Sequence, residues 1–276
     1  MRIAVTSDLH YDPRGYLTPP EKIRELARRI AAEVPDAVIL AGDLAHGLAS
    51  FGRCLDCFDN IVAPIGVIAG NHDIWFDRET SMGSNTLWEE ALPRTTRDRG
   101  AVWLEHDILR VGGVAIVGSM AWYDYSAIDP GVQADPEVIA RVKRQFNNDA
   151  LWIDWNRDDR DVAHALGQSM LMRLRTACND DSVRSVVVVT HVPILEEQME
   201  RRPHDRKWGF TNAYFGNLTL GRAVVREPKV RAVVSGHTHH AKNATRERTG
   251  APPVGVCVVG SDYGSPDYVM VKVGGS

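Results

Sequence analysis

The sequence has no run approaching the roughly 20 consecutive apolar residues that a membrane-spanning helix needs. Its first residues, MRIAVTSD, carry an arginine and reach an aspartate by position 8, with no apolar segment of a secretory signal between them. Both absences set the expectation of a cytoplasmic protein with no membrane partner. Basic charge is not in excess either. Against 36 Asp and Glu stand 32 Lys and Arg, a formal net charge of -4, so the chain has no general attraction for nucleic acid or anionic lipid. Phosphate recognition, if present, must come from a local site.

Cysteine is scarce, with four in 276 residues. Cys54 and Cys57 spell C-x-x-C, but a zinc knuckle needs a second matching pair, and Cys178 and Cys257 stand alone. The segment SFGRCLDCFDNI also fits an amphipathic helix on which residues i and i+3 share a face, so buried, reduced thiols are expected. There is no P-loop, no G-x-S-x-G elbow, no internal repeat and no low-complexity tract.

What is present is an alternation of short apolar runs and helical patterns. The runs are Ile3 to Thr6, Ala37 to Leu40, Ile65 to Ile68, Val114 to Val117, Val186 to Thr190, Ala232 to Val234 and Val254 to Val259. Their β-branched residues, without polar alternation, predict strands buried on both faces. Glu21 to Val34 follows Thr18-Pro19-Pro20 and predicts a helix, as do Leu48 to Asn60 and Asp161 to Ala177. Strands alternating with helices give an α/β fold. From about Met120 to Arg160 the alternation breaks. Here Trp122, Tyr123, Tyr125, Phe146, Trp152 and Trp155 lie among many acids. This stretch reads either as an insertion over one end of the sheet or as a peripheral helical subdomain with its own aromatic core.

Chemistry-bearing residues follow five of the strands: Asp8 and His10; Gly42-Asp43; Gly70-Asn71-His72-Asp73; Thr190-His191; and Gly236-His237-Thr238-His239. In open α/β sheets ligands bind at the carboxyl ends of strands. One D-x-H or one histidine after a strand is weak evidence. Five Asp, Asn and His clusters in order at the same strand end point to a metal site.

The order D-x-H, G-D, G-N-H-D, H, G-H-T-H resembles the calcineurin-like metallophosphoesterase superfamily, from Asp8 to His239. The resemblance implies one domain over 1–276, with two mixed β sheets packed face to face and flanked by helices, and the 120–160 insertion as a cap. It implies that Asp8, His10 and His239 hold one metal ion, that Asn71, His191 and His237 hold a second, and that Asp43 bridges them. Two close cations repel, so a shared carboxylate between them is required. The resemblance also implies hydrolysis of a phosphate ester by hydroxide held between the ions, with His72 as general acid. A loop hydrogen bond is the other reading of His72. The nitrogen and oxygen donors, with no thiolate, suit manganese or iron, and zinc is also compatible.

The substrate is less defined. Protein serine/threonine phosphatases of this kind carry G-D-x-x-D-R-G, where this chain reads Gly42-Asp43-Leu44-Ala45-His46-Gly47. That departure argues against a phosphoprotein substrate and makes His46 a substrate contact, a partner of the site or a solvent-facing loop residue. After His191 comes a basic and aromatic stretch with Arg201, Arg206 and Trp208, suited to gripping phosphate and stacking on a base, or alternatively a solvated loop. The expectation is a small phosphodiester or phosphomonoester, with nucleotides among the candidates. A single-strand nuclease would need a longer basic track. An inactive scaffold would have lost ligands, and all seven are present.

Overall fold

The computed structural model describes residues 1–274. Among the described residues eleven strands form two sheets. Their ranges are β1 Arg2–Thr6, β2 Ala37–Ala41, β3 Ile65–Ile68, β4 Val102–Trp103, β5 Leu109–Val111, β6 Val114–Ser119, β7 Ser185–Thr190, β8 Val230–Ser235, β9 Lys242–Arg246, β10 Val254–Val258 and β11 Tyr268–Lys272. The first sheet runs β11-β1-β2-β3-β4 and the second β5-β6-β7-β8-β10-β9. In the first, β1 to β4 are parallel and β11 is antiparallel; in the second, β6, β7, β8 and β10 are parallel between antiparallel edges.

The strand period of two sorts side chains into layers. Ile3, Val5, Ile39 and Ile68 of the first sheet meet Ile116, Val187, Val189 and Val234 of the second in a common core between the sheets. The alternate residues Ala4, Val38, Leu40 and Val67 face outward onto Ile23, Leu26 and Ile30 of the helix Pro20–Ala32 and Phe51 and Leu55 of the helix Leu48–Asp56. Val186, Val188 and Val233 face Met170, Leu174 and Ala177 of the helix Asp159–Asn179. Each fully buried aliphatic side chain contributes about 1.5–3 kcal/mol, so the four layers lock one register. The outcome is two mixed sheets flanked by helices. The seven expected strands and three expected helices are all present, though the second helix ends at Asp56. The edge strands β4, β5, β9 and β11 carried no periodic signal strong enough to be seen. Cys54 and Cys57 are buried and, with Cys178 and Cys257, free.

The chain from 120 to 158 leaves β6 and returns at the helix Asp159–Asn179, forming the helices Pro136–Phe146 and Asp149–Trp152 on the way. It does not keep a core of its own. Trp122, Tyr123, Tyr125 and Trp155 are buried in the same cluster as the helices over the first sheet. Two aromatic-rich surfaces placed side by side merge rather than leave apolar area wet. Among the described residues no helix is long and apolar enough to cross a membrane.

Candidate metal centre

β1, β2 and β3 from the first sheet and β7 and β8 from the second end at one edge of the sandwich. The loops after them carry Asp8 and His10, Asp43, Asn71 and His72, His191, and His237 and His239. Backbone bonds fasten these loops together: Asp8 N donates to Gly42 O (3.0 Å), His10 N to Asp43 O (2.9 Å) and Gly236 N to His191 O (3.1 Å). Asp73 fastens two more, accepting from Ala45 N (2.9 Å) and Gly70 N (2.8 Å).

The close packing dictates two glycines. A Cβ on Gly70 would lie 2.1 Å from Asp43 Oδ1, and one on Gly236 would lie 2.3 Å from Asp8 Oδ2. Asp8, His10, Asp43, His237 and His239 adopt positive φ between 43° and 68°. Left-handed backbone in residues other than glycine costs of order 1–3 kcal/mol each and is kept where function needs the direction it gives a side chain.

Three groups of ligating atoms result, each within 4.8 Å: Asp8, His10 and His239; His10, Asp43 and His72; and Asp43, His191 and His237. Asp43 faces both sides. Its Oδ2 is 3.8 Å from His10 Nε2 and its Oδ1 is 3.4 Å from His191 Nε2. Asn71 Oδ1 lies 3.0 Å from His191 Nε2. Ring nitrogens face one another, His10 Nε2 to His239 Nε2 at 3.4 Å and His237 Nδ1 to His191 Nε2 at 3.3 Å.

On three of these rings the opposite nitrogen already has an acceptor beside it. His191 Nδ1 lies 2.9 Å from Ala41 O, His237 Nε2 lies 3.4 Å from Tyr214 O, and His239 Nδ1 lies 3.3 Å from Asp262 Oδ1. A proton held there leaves the inward nitrogen as a lone-pair donor. Nitrogen and oxygen donors converging on two places around one buried carboxylate are the chemistry a pair of divalent cations requires, and the residues fit such a pair.

Without cations the cluster balances its charge with protons. Burial pushes the His10 and His237 imidazoles down to about 4. Burial acts the same way on His191, but the Asp43 carboxylate overrides it and raises His191 to about 10. The Asp8 carboxylate likewise overrides burial at His239 and raises it to about 9. Asp43 is held well below the usual carboxylate range because His191 and His72 outweigh its burial. Asp73 goes the other way: burial, reinforced by Asp43, pushes it up to about 7.

His72 stands at the mouth, its side chain 21% exposed, with Nε2 3.9 Å from Asp43 Oδ2. Its ring stacks on Trp75 at 3.7 Å, and Trp75 stacks on Trp152 at 5.6 Å. His46 is exposed and meets Trp75 and Trp152 edge-on, with Nε2 3.3 Å from Phe76 O, so it joins the site through that stack.

The expected phosphate fork at Arg201 is not free. Its guanidinium is taken by Glu196 (2.7 Å for each of two bonds), Asp129 and Ala127 O, because carboxylates of the neighbouring loops neutralise it first. Trp208 has Arg202 stacked 3.7 Å over its ring and donates Nε1–H to Glu200 O at 2.8 Å, leaving less face for a base than the sequence suggests. Phe215 connects Trp208 to His237, at 5.6 and 5.7 Å. Arg206 is exposed and lines a cavity of about 310 Å³ with Arg202, Asp129 and Glu196.

Sequence reasoning missed several neighbours of the site. Tyr263, 48% exposed, lies 4.7 Å from the His10 ring and 5.3 Å from that of His239, beside Asp262. Both follow β10, so the strand-end rule applied to Val254 to Val259 reaches them. Asp149 accepts from Asn71 Nδ2 at 2.9 Å and comes from the 120–158 segment, where no motif marks it.

The calcineurin-like phosphoesterase profile matches residues 1–241. No curated protein matches in sequence. Among solved structures, phosphopantetheinyl hydrolase from Mycobacterium tuberculosis superposes with a TM-score of 0.71 at 20% identity, over 97% of this chain and 95% of that one. A dimetal phosphatase from Danio rerio gives 0.53 at 12% identity, over 98% of each chain. These two likenesses speak to the fold, which both share. The family depends on dinuclear metal. The chain therefore belongs to the calcineurin-like phosphoesterase family and is a metal-dependent phosphoester hydrolase.

Proposed function

We propose that the chain hydrolyses a small phosphate ester, diester or monoester, in the cytoplasm. In this reading Asp8, His10 and His239 would hold one divalent cation, Asn71, His191 and His237 a second, and Asp43 would serve both. The observation that carries it is the placement of Asp43, whose two oxygens face imidazoles of different groups. Manganese or iron suits the donors best. When bound, the pair supplies an activated water and neutralises phosphoryl charge.

The chain's own residues do the rest. As the water oxygen bonds to phosphorus, the ester P–O bond breaks and its electron pair leaves on the departing oxygen, which takes a proton from His72 at the mouth of the site. General acid catalysis of this kind contributes about 10²–10⁴-fold. Trp75 holds the His72 ring from one side, and the His72 N–H donates to Asp43 Oδ1 at 2.8 Å, so the acid's backbone and ring are both fixed. Tyr263 offers a half-exposed ring at the rim for the substrate's organic part.

A small substrate is supported by the loop after Asp43, which lacks the Asp and Arg of the protein-phosphatase pattern. The neighbour's phosphopantetheinyl hydrolysis adds one candidate phosphoester for the assay. The test is kcat/KM with Mn²⁺ for bis-nitrophenyl phosphate, cyclic nucleotides and a phosphopantetheinyl ester, against a phosphoserine peptide. The small esters are expected to win. A tenfold advantage for the peptide, about 1.4 kcal/mol of transition-state preference, would reverse the assignment.

A further inference from the structure

We infer that Asp149 is a positioning residue for the metal centre, and that the 120–158 segment is therefore a buttress of the site. Asp149 sets the side-chain amide of Asn71 and, through Trp75, the ring of His72. The inference rests on the ligand and acid roles proposed above.

Asp149 is 1% exposed. Its Oδ1 accepts from Asn71 Nδ2 at 2.9 Å and from Trp75 Nε1 at 2.8 Å, and its Oδ2 accepts from the Tyr123 hydroxyl at 3.1 Å. A carboxylate can only accept hydrogen bonds. An asparagine amide can turn either way, and its nitrogen has no lone pair to give a metal. An acceptor behind Asn71 thus forces the NH₂ group backward and Oδ1 forward, where it lies 3.0 Å from His191 Nε2. An uncharged amide at position 149 could donate as well as accept and would lose that control.

The same carboxylate grips Trp75, whose other contacts extend the effect to His72. Four planar groups stack in series: His72 on Trp75 (3.7 Å, 25°), Trp75 on Trp152 (5.6 Å, 11°) and Arg78 over Trp152 (4.7 Å). Phe76 N donates to Trp152 O at 2.8 Å, so the backbone after His72 is tied to the same helix. The helix Asp149–Trp152 thus fixes one proposed ligand at its first residue and supports the proposed acid at its last.

The experiment uses the full chain and Mn²⁺ titration by calorimetry, with circular dichroism to establish folding. For Asp149→Asn, one of the two ions should bind about 10- to 100-fold more weakly, the usual consequence of losing the group that orients a ligand, while the other is little changed. A folded Asp149→Asn that binds both ions as tightly as wild type overturns the inference.

Trp75→Phe provides the second arm and decides the matter if Asp149→Asn does not fold. It keeps a ring between His72 and Trp152 but removes the bond to Asp149. Both ions should stay, and turnover should fall several-fold more on alkyl phosphate esters than on nitrophenyl esters. Equal turnover to wild type on both classes overturns the inference. His72→Ala run alongside keeps the two readings apart. If it shows no dependence on the leaving group, the acid role fails, and the calorimetric result for Asp149 still stands or falls alone.

Discussion

Behind Asn71, His191 and His237 stand a buried carboxylate, Asp149, and the backbone carbonyls of Ala41 and Tyr214. Behind His239 stands Asp262, a side chain 65% exposed, and the half-exposed Tyr263 covers the rest of that side. Each group has two buried members, Asp8 and His10 in one and Asp43 and His191 in the other, and each ends in a partly exposed histidine, His239 and His237 respectively. The two groups thus differ less in exposure than in what stands behind their ligands, the body of the fold in one case and a surface side chain in the other. Asp149 and the backbone carbonyls cannot be removed without disturbing the interior, whereas Asp262 can.

The strongest way to break the comparison is to remove what the halves share. Asp43→Ala should disturb both, lowering activity about 10³-fold or more as several kcal/mol of metal-dependent stabilisation is lost. Metal analysis would show fewer ions per chain. Retention of both ions would mean that Asp43 is not shared.

His72→Ala should alter neither half. Metal content should stay near wild type while turnover falls about 10²-fold, with a smaller loss for nitrophenyl esters, whose leaving group needs little protonation. Equal losses for good and poor leaving groups would make His72 a phosphate binder instead.

Asp262→Ala separates the two groups by touching only the side of His239. One ion should weaken about tenfold, and a chelator should strip that ion faster than in wild type while the other leaves at its usual rate. If both ions weaken together, the halves are not independent.

The smallest effect concerns the protein stripped of metal, where each half has one raised histidine. A folded pKa above the unfolded value of about 6.5 stabilises fully below 6.5, and the stabilisation is lost as pH rises through about 9 for His239 and about 10 for His191. The melting temperature should therefore fall between pH 7 and 10, and bound Mn²⁺ should flatten the fall by replacing the protons. A flat profile without metal would contradict the two imidazolium–carboxylate pairs.

Much of this was legible in the sequence because strand-end loops leave a linear record. Asp8, Asp43, Asn71, His191 and His237 each follow a buried β-branched run, so period and residue type located them together. The edge strands β4 and β9, two residues long and half-exposed respectively, have no such run. The bracing was not legible for another reason. Asp149 lies 78 residues from Asn71, and among the many acids of its segment nothing local distinguishes the one that folding brings to the amide. For Arg201 the difficulty is the reverse, since a basic run does not reveal that Glu196 and Asp129 will close on it. The partition of the 120–158 aromatics was likewise decided by a surface from elsewhere in the chain, which no window of sequence contains.

The central claim is a pair of ions around one carboxylate, and the most direct measurement is metal content after saturation with Mn²⁺ and removal of the excess. The wild-type protein is expected to retain close to two ions per chain. One ion per chain at saturation would contradict it.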